Sequence, residues 1–419
     1  MGSQSFLTCR IPTTCLRAVL RAVIFTAITL IIVAVLPTSA LSGEDLQSDL
    51  PAVPPQLSIP VEHSPDSEGS LPAAAAFDAF LAEETVATPE AEAPLAPPVP
   101  PVPAAEPMVA VPMAAEPSEA LPIAGDVEPY APQSPGYWIV SSWNSPQEFE
   151  NDQLRFCPQV RRVDECTDGH PSTMDQLRGS LIPGVPICIV VHGSFMDSPS
   201  VLPDSHHTWS WLKTGACGRP FQMIYFSWPS DRALSPFASI DVAILGSRAS
   251  RNGFYLATLI QSLPPECPVC LVGHSHGTRI ISSGLHLLGG GVVEGHRHCT
   301  PGCSGRRIRV VYTASAIDHD WLNPEERFGR ALCCVECLIN LRNAKDPALQ
   351  IYPLRRIGSS RALGLAGFTS KDRRELGAYG SRVRDLDVSS LIGHDHSWPN
   401  YVAHGSLASS LRNYLFFAN

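Results

Sequence analysis

No lysine or arginine occurs between Arg21 and Arg155 of this 419-residue chain. Inside that gap, residues 41–135 hold 16 of the 40 acidic residues and 20 of the 40 prolines, with many alanines. Such a stretch cannot bury enough apolar surface to offset its chain entropy, which excludes a packed domain there. The expectation is a disordered, extended, partly polyproline-like linker, a spacer or an acidic docking segment. Within it, residues 71–87 (LPAAAAFDAFLAEETVA) have the composition of a transient helix. The remainder, residues 136–419, has 27 basic and 24 acidic residues, so the net charge of −10 comes from the linker. A balance this near neutral gives no case for a nucleic-acid partner. No internal repeat is evident either.

What is present begins with residues 18–36 (AVLRAVIFTAITLIIVAVL), an apolar stretch interrupted by Arg21. Arg10 and Arg17 precede it, and Thr38-Ser39-Ala40 follows as a small-residue exit. That order is the order of a secretory signal within residues 1–40. The run is also close to the roughly 20 residues that span a bilayer. A cleaved signal peptide and an uncleaved anchor, tethering the chain to a membrane through residues 18–36, both fit. Either way the rest is expected outside the cytoplasm, membrane-anchored, periplasmic or extracellular.

Of 13 cysteines, Cys9 and Cys15 lie in the signal segment, leaving an odd eleven. Cys157 and Cys166 flank a short polar stretch and suit a local disulfide. Cys267 and Cys270 form a C-x-x-C at the start of a strand. His296, His298, Cys299 and Cys303 have metal-like spacing, but their Gly-rich setting favours a loop disulfide or free thiols over zinc. No metal or cofactor is expected. Cys333, Cys334 and Cys337 sit in an apolar run and read as small buried hydrophobes.

From residue 136 onward, apolar runs bounded by turn residues alternate with helical patterns. The expected strands are 137–143, 156–163, 185–191 (VPICIVV), 221–227 (FQMIYFS), 269–272, 308–314 (IRVVYTA), 335–341 (VECLINL) and 382–388. Helical patterns cover 241–263, 278–288 and a closing helix at 401–417. Continuous apolar strands separated by helices indicate an α/β fold: about eight strands, mostly parallel, with helices on both faces.

Residues 269–277 read VCLVGHSHG. Gly273-His274-Ser275-His276-Gly277 is a G-x-S-x-G nucleophile elbow between a strand and a helix, the context that motif requires. A Gly-rich turn with an incidental serine would carry the same letters without that context. The glycines let strand and helix approach, and the serine takes a strained backbone conformation at a helix N-terminus that favours negative charge.

A serine hydroxyl needs a histidine to accept its proton and an acid to orient that histidine. In elbow enzymes the chain order is serine, acid, histidine. Asp346 follows VECLINL and suits the acid, with Asp318 and Asp320 as rivals after the preceding strand. Among His394, His396 and His404, the base expected is His396, immediately before the closing helix; Pro399 places His404 inside that helix. The oxyanion donors expected are the backbone N–H groups of His276 and of Ser194, with Phe195 as alternate in the loop His192-Gly193-Ser194-Phe195. His192 precedes the nucleophile and reads as a loop brace. Trp209, Trp211, Trp228 and Trp321 suit either a pocket or the core.

The strand-end HGS, FSWPS (Phe226–Ser230), the long helix after it, GHSHG and the Ala-Lys-Asp-Pro-Ala-Leu run around Asp346 together resemble the α/β-hydrolase superfamily, over residues 185–417. They are most similar to a bacterial branch of uncharacterised activity, in which the elbow more often reads H-S-M-G; His276 departs from that. The resemblance implies an α/β-hydrolase fold and a serine-hydrolase triad, and it implies no substrate. The activity expected is cleavage of ester or related acyl bonds in a small-molecule or lipid-like acyl substrate. Acyl transfer on the same fold and a non-catalytic binding role are the alternatives.

Overall fold

The computed structural model describes residues 136–150, 154–164, 169–231, 238–303, 305–355 and 358–417. The signal segment, the linker and Cys166 lie outside the described residues. The strands are β1 (Gly136–Ser141), β2 (Gln159–Asp164), β3 (His170–Ser172), β4 (Ile187–Val191), β5 (Gln222–Ser227), β6 (Val269–His274), β7 (Val292–Val293), β8 (His296–Arg297), β9 (Ile308–Thr313), β10 (Cys337–Arg342) and β11 (Val383–Asp387). Nine form one sheet in the order β11-β10-β9-β6-β4-β5-β1-β2-β3, while β7 and β8 make a separate hairpin. From β11 to β1 every neighbouring pair is parallel. Within this sheet, among the described residues, β1–β2 and β2–β3 are the antiparallel pairs. The short edge strand β3 and the hairpin exceed the sequence expectation.

The central strands are wholly apolar because both faces are covered. In β4 every residue is buried, and its side chains alternate between two cores. Ile187, Ile189 and Val191 join one core with Leu256 and Ile280, from the helices α3 (Ala238–Ser262) and α4 (His276–Leu288). Cys188 and Val190 join the other with Trp211 and Leu212, from the helix α2 (Val201–Ala216), and with Tyr401 and Leu415 near the C-terminus. A shorter helix α1 (Met174–Ser180) precedes β4 and opens with a Thr173–Gln176 capping box. This mostly parallel sheet, with helices on both faces and β4 flanked by β5 and β6, is the α/β-hydrolase fold.

Helix α2 is absent from the sequence reading. Its buried stripe includes the polar residues Asp204, Ser205 and Thr208, which hide the helical period. Each has a partner: the hydroxyls of Tyr225 and Tyr137 for the first two, and the Trp398 indole N–H, at 2.8 Å, for the third.

The closing helix expected over 401–417 is instead three short segments, a correction. They are α6 (Trp398–Val402), α7 (Gly405–Ser410) and α8 (Arg412–Leu415), where α5 (Pro347–Ile351) follows β10. His404, expected inside a helix, sits between α6 and α7 with φ −96° and ψ 90°, and its carbonyl accepts the Trp211 indole N–H at 3.2 Å. Gly405 and the serines and asparagine that follow are weak helix formers, so tertiary contacts decide the path.

The cysteine expectations need a second correction. Cys303 is disulfide-bonded to Cys334, which ties the Gly-rich insertion to the turn before β10. Cys333 is exposed and Cys337 half-buried, so neither it nor Cys333 is a core residue. In the His/Cys insertion, His296 stacks on Phe149 and His298 bonds the Thr258 hydroxyl at 3.1 Å. Trp209, Trp211, Trp228 and Trp321 are all buried in the cores.

Candidate active site

Parallel strands put their carboxyl ends on one edge, and the residues singled out in the sequence lie on loops there. Ser275 links β6 to α4 with φ 51° and ψ −123°, a strained conformation for a residue with a side chain. Its N–H is tied to the Thr313 carbonyl at 3.0 Å. A Cβ on Gly277 would lie 2.2 Å from the Val191 carbonyl oxygen, so only glycine lets α4 start this close to β4.

The Ser275 side chain does not cap its helix. Its Oγ lies 3.0 Å from His396 Nε2, and His396 Nδ1 lies 2.8 Å from Asp346 Oδ2. Asp346 is fully buried at the N-cap of α5, where its other oxygen accepts the Leu349 N–H at 3.1 Å. Both carboxylate oxygens are therefore occupied, which fixes the plane of the acid. Because a carboxylate only accepts, Nδ1 of His396 carries the proton and Nε2 presents a lone pair to Ser275.

The rival residues are engaged elsewhere. Asp318 is buried and ion-paired to Arg355, and it accepts the Ser360 N–H at 3.1 Å. Asp320 accepts the Ser360 hydroxyl. His394 is exposed. His192 is buried beneath the loop after β4; its Nε2 accepts the Trp228 N–H at 3.1 Å and its Nδ1 lies 2.8 Å from the Gly193 carbonyl. Burial holds it down at about pKa 4, so it stays neutral as it braces the loop.

The neighbouring strands β4 and β6 bring the loop 192–195 beside Ser275. A Cβ on Gly193 would lie 2.7 Å from His274 Nδ1 and 3.0 Å from Ser275 Cβ. The Phe195 N–H donates to the Ser230 carbonyl at 2.6 Å, so the alternate oxyanion donor is spent; this corrects Phe195. The N–H of Ser194 has no acceptor among the described residues. That of His276 is in the first turn of α4, where no intrahelical acceptor exists.

Two contacts escape sequence reasoning. His274 is buried, and its Nε2 donates to the backbone carbonyl of His396 at 2.7 Å. Burial, with a smaller push from His396, holds His274 down at about pKa 3. The His276 Nδ1 lies 2.5 Å from the Ser194 Oγ. Burial, then the Arg279 and Arg355 charges, hold His276 well below the usual histidine range. The only signal in the sequence is that two histidines flank the serine.

Along the same edge, a cavity of about 250 Å³ opens at the ends of β1 and β5, lined by Trp143, Asn144, Arg161, Ser198 and Ser227 among others. Ser227 also lies 3.4 Å from His192 Nε2.

No family model matches the chain, and no curated protein does. Solved structures give distant likenesses. The catalytic core domain of acetyl xylan esterase from Trichoderma reesei is 13% identical, over 56% of this chain and 99% of that one, with a TM-score of 0.30. EstE1, a thermostable carboxylesterase cloned from a metagenomic library, is 13% identical over 62% and 85%, at 0.31. A cutinase-like protein from Cryptococcus sp. is 13% identical over 55% and 95%, at 0.23. At those scores the likenesses say nothing about activity.

Proposed function

We propose that this chain is a serine hydrolase that cleaves ester or related acyl bonds through an acyl-enzyme. One observation carries the reading: the continuous hydrogen-bonded line from Ser275 Oγ through the His396 imidazole to buried Asp346. His396 Nε2 takes the hydroxyl proton as Ser275 Oγ attacks the acyl carbon. Asp346 holds the ring in the tautomer that accepts at Nε2 and stabilises the imidazolium that forms. The N–H groups of His276 and Ser194 receive the charge that develops on the carbonyl oxygen. As the tetrahedral intermediate collapses, the imidazolium protonates the leaving alcohol. Water then attacks the acyl-enzyme, giving its proton to His396, which passes it to Ser275 Oγ as the acid product leaves.

Residues 18–36 lead us to place this activity outside the cytoplasm, on a chain tethered or released. Fractionation of cells tests that reading, and soluble intact protein in the cytoplasm would refute it. Activity is tested with p-nitrophenyl esters of graded acyl length. Turnover is expected from the native chain and none from Ser275→Ala; turnover by that variant at the native rate would refute the assignment. Product analysis with an added alcohol separates hydrolysis from acyl transfer.

A further inference from the structure

The Ser194–His276 contact is not used by the proton relay. It joins, through their side chains, the two residues whose backbone N–H groups the proposed mechanism aims at the developing oxyanion. We propose that the bond between Ser194 Oγ and His276 Nδ1 is a clamp that fixes those two N–H groups relative to each other, with His276 as the positioning residue. This rests on the serine-hydrolase reading.

The two halves differ in rigidity. His276 starts α4, a helix buried along its whole length against β4 and β6. Ser194 is partly exposed, in a loop whose next residue, Phe195, has φ 64° and is 49% exposed. That loop is pinned from the other side, by Phe195 and Met196 to Ser230 and by His192 to Trp228. His192 Nδ1, 2.8 Å from the Gly193 carbonyl, holds one end of the peptide that carries the Ser194 N–H. The clamp adds a hold on the side facing Ser275, because it closes a ring through Ser194, its hydroxyl, the imidazole and the first turn of α4. Preorganised donors are effective because they need no rearrangement as charge develops.

The bond survives either neutral tautomer of His276, since a hydroxyl both donates and accepts. Arg279, Arg355 and His396 are the charged or titratable groups that act on this ring, and all three disfavour a second proton. The clamp therefore keeps its neutral form well below the usual histidine range. A role as a second base for Ser275 is a different matter, because the ring would then set the pH dependence.

The test uses the full chain and a p-nitrophenyl ester, comparing His276→Phe, His276→Asn, Ser194→Ala and the double variant Ser194→Ala/His276→Phe. His276→Phe keeps a ring and loses the bond, whereas His276→Asn retains a polar group near the place of Nδ1. His276→Phe and Ser194→Ala are each expected to lower kcat by about 10–100-fold with KM within about 3-fold, a share of what one oxyanion donor supplies. His276→Asn should recover most of the loss. The double variant should be no worse than the poorer single one, as for two ends of one interaction. The acid limb of the pH profile should stay where the native enzyme has it. Native kcat in Ser194→Ala, losses that multiply, or a shifted limb in His276→Phe would overturn the clamp. If His276→Phe does not fold, Ser194→Ala decides alone, since it removes a single oxygen from a partly exposed residue. Failure of the hydrolase reading looks different: activity would persist in Ser275→Ala whatever the clamp variants do.

Discussion

Strands β4 to β6 and the segment after β11 hold Ser275 and His396, the proposed nucleophile and base, by different means. Ser275 is held by packing: β4 and β6 are wholly buried, α4 is buried throughout, and Gly277 leaves no room for a methyl. His396 is held by polar bonds. Its carbonyl is gripped by His274, and the Asn343 amide reaches the carbonyls of Gly393 and Asp395, at 2.9 and 3.3 Å. Asn400 ties the Ile392 carbonyl at 3.0 Å. A core resists displacement as a block, whereas a loop held by a few directional bonds can be loosened one bond at a time. The nucleophile should therefore tolerate chemistry-only substitutions without loss of stability, and the base should be sensitive to residues that never touch substrate.

The largest effect is expected on the base itself. His396→Ala should lower kcat by about 10⁴–10⁶-fold, and combining it with Ser275→Ala should cost no more than the worse single change, since the two act as a unit. Steady-state kinetics on each variant check this, and the melting temperature should fall, because fully buried Asp346 loses the partner of one oxygen. Asp346→Asn comes next, at about 10⁴-fold in kcat, because an amide cannot impose the tautomer. His274→Phe is smaller and separates the two regions most sharply. It removes the brace on the His396 carbonyl while keeping an aromatic ring against Trp398 and Tyr401. A fall of about 10-fold in kcat is expected, with fluorophosphonate labelling slowed and not abolished. An unchanged kcat would mean that Asn343 and Asn400 suffice, and the contrast between the regions would shrink.

The smallest effect concerns stability. His192 and His274 have folded pKa values lowered to about 4 and about 3, and burial holds that of His276 well below the usual histidine range. An unfolded histidine titrates near 6.5, so below that pH the unfolded chain takes up protons that the native chain cannot. Stability is full above about pH 6.5 and falls as pH drops toward the folded values, by at most about 1.4 kcal/mol per pH unit for each histidine. Urea midpoints between pH 7.5 and 5 should decrease accordingly, and less steeply in His192→Asn. A midpoint that rises with acidity would contradict buried neutral histidines.

The central fold was legible because parallel strands covered on both faces must be continuous apolar runs, and VPICIVV and VCLVGH are such runs. The elbow was legible for the same reason, since strand, Gly-x-Ser-x-Gly and helix are contiguous in the chain. Helix α2 was not, because Asp204, Ser205 and Thr208 sit on its buried side and only the fold supplies their partners. The closing segment read as one helix on its apolar spacing, and contacts such as Trp211 to the His404 carbonyl break it. The Cys303–Cys334 pairing joins residues 31 apart through the fold, beyond what spacing alone reveals. The side-chain roles of His274 and His276 depend on loops more than 80 residues away in sequence, His396 and Ser194.

The central claim is that Ser275 is the activated nucleophile. The most direct measurement is peptide mapping by mass spectrometry after reaction with a fluorophosphonate. One adduct on the peptide that contains Ser275 is expected in the native chain, with none in Ser275→Ala and strongly slowed formation in His396→Ala. An adduct on another residue of the native chain, or undiminished labelling of Ser275→Ala, would contradict the account.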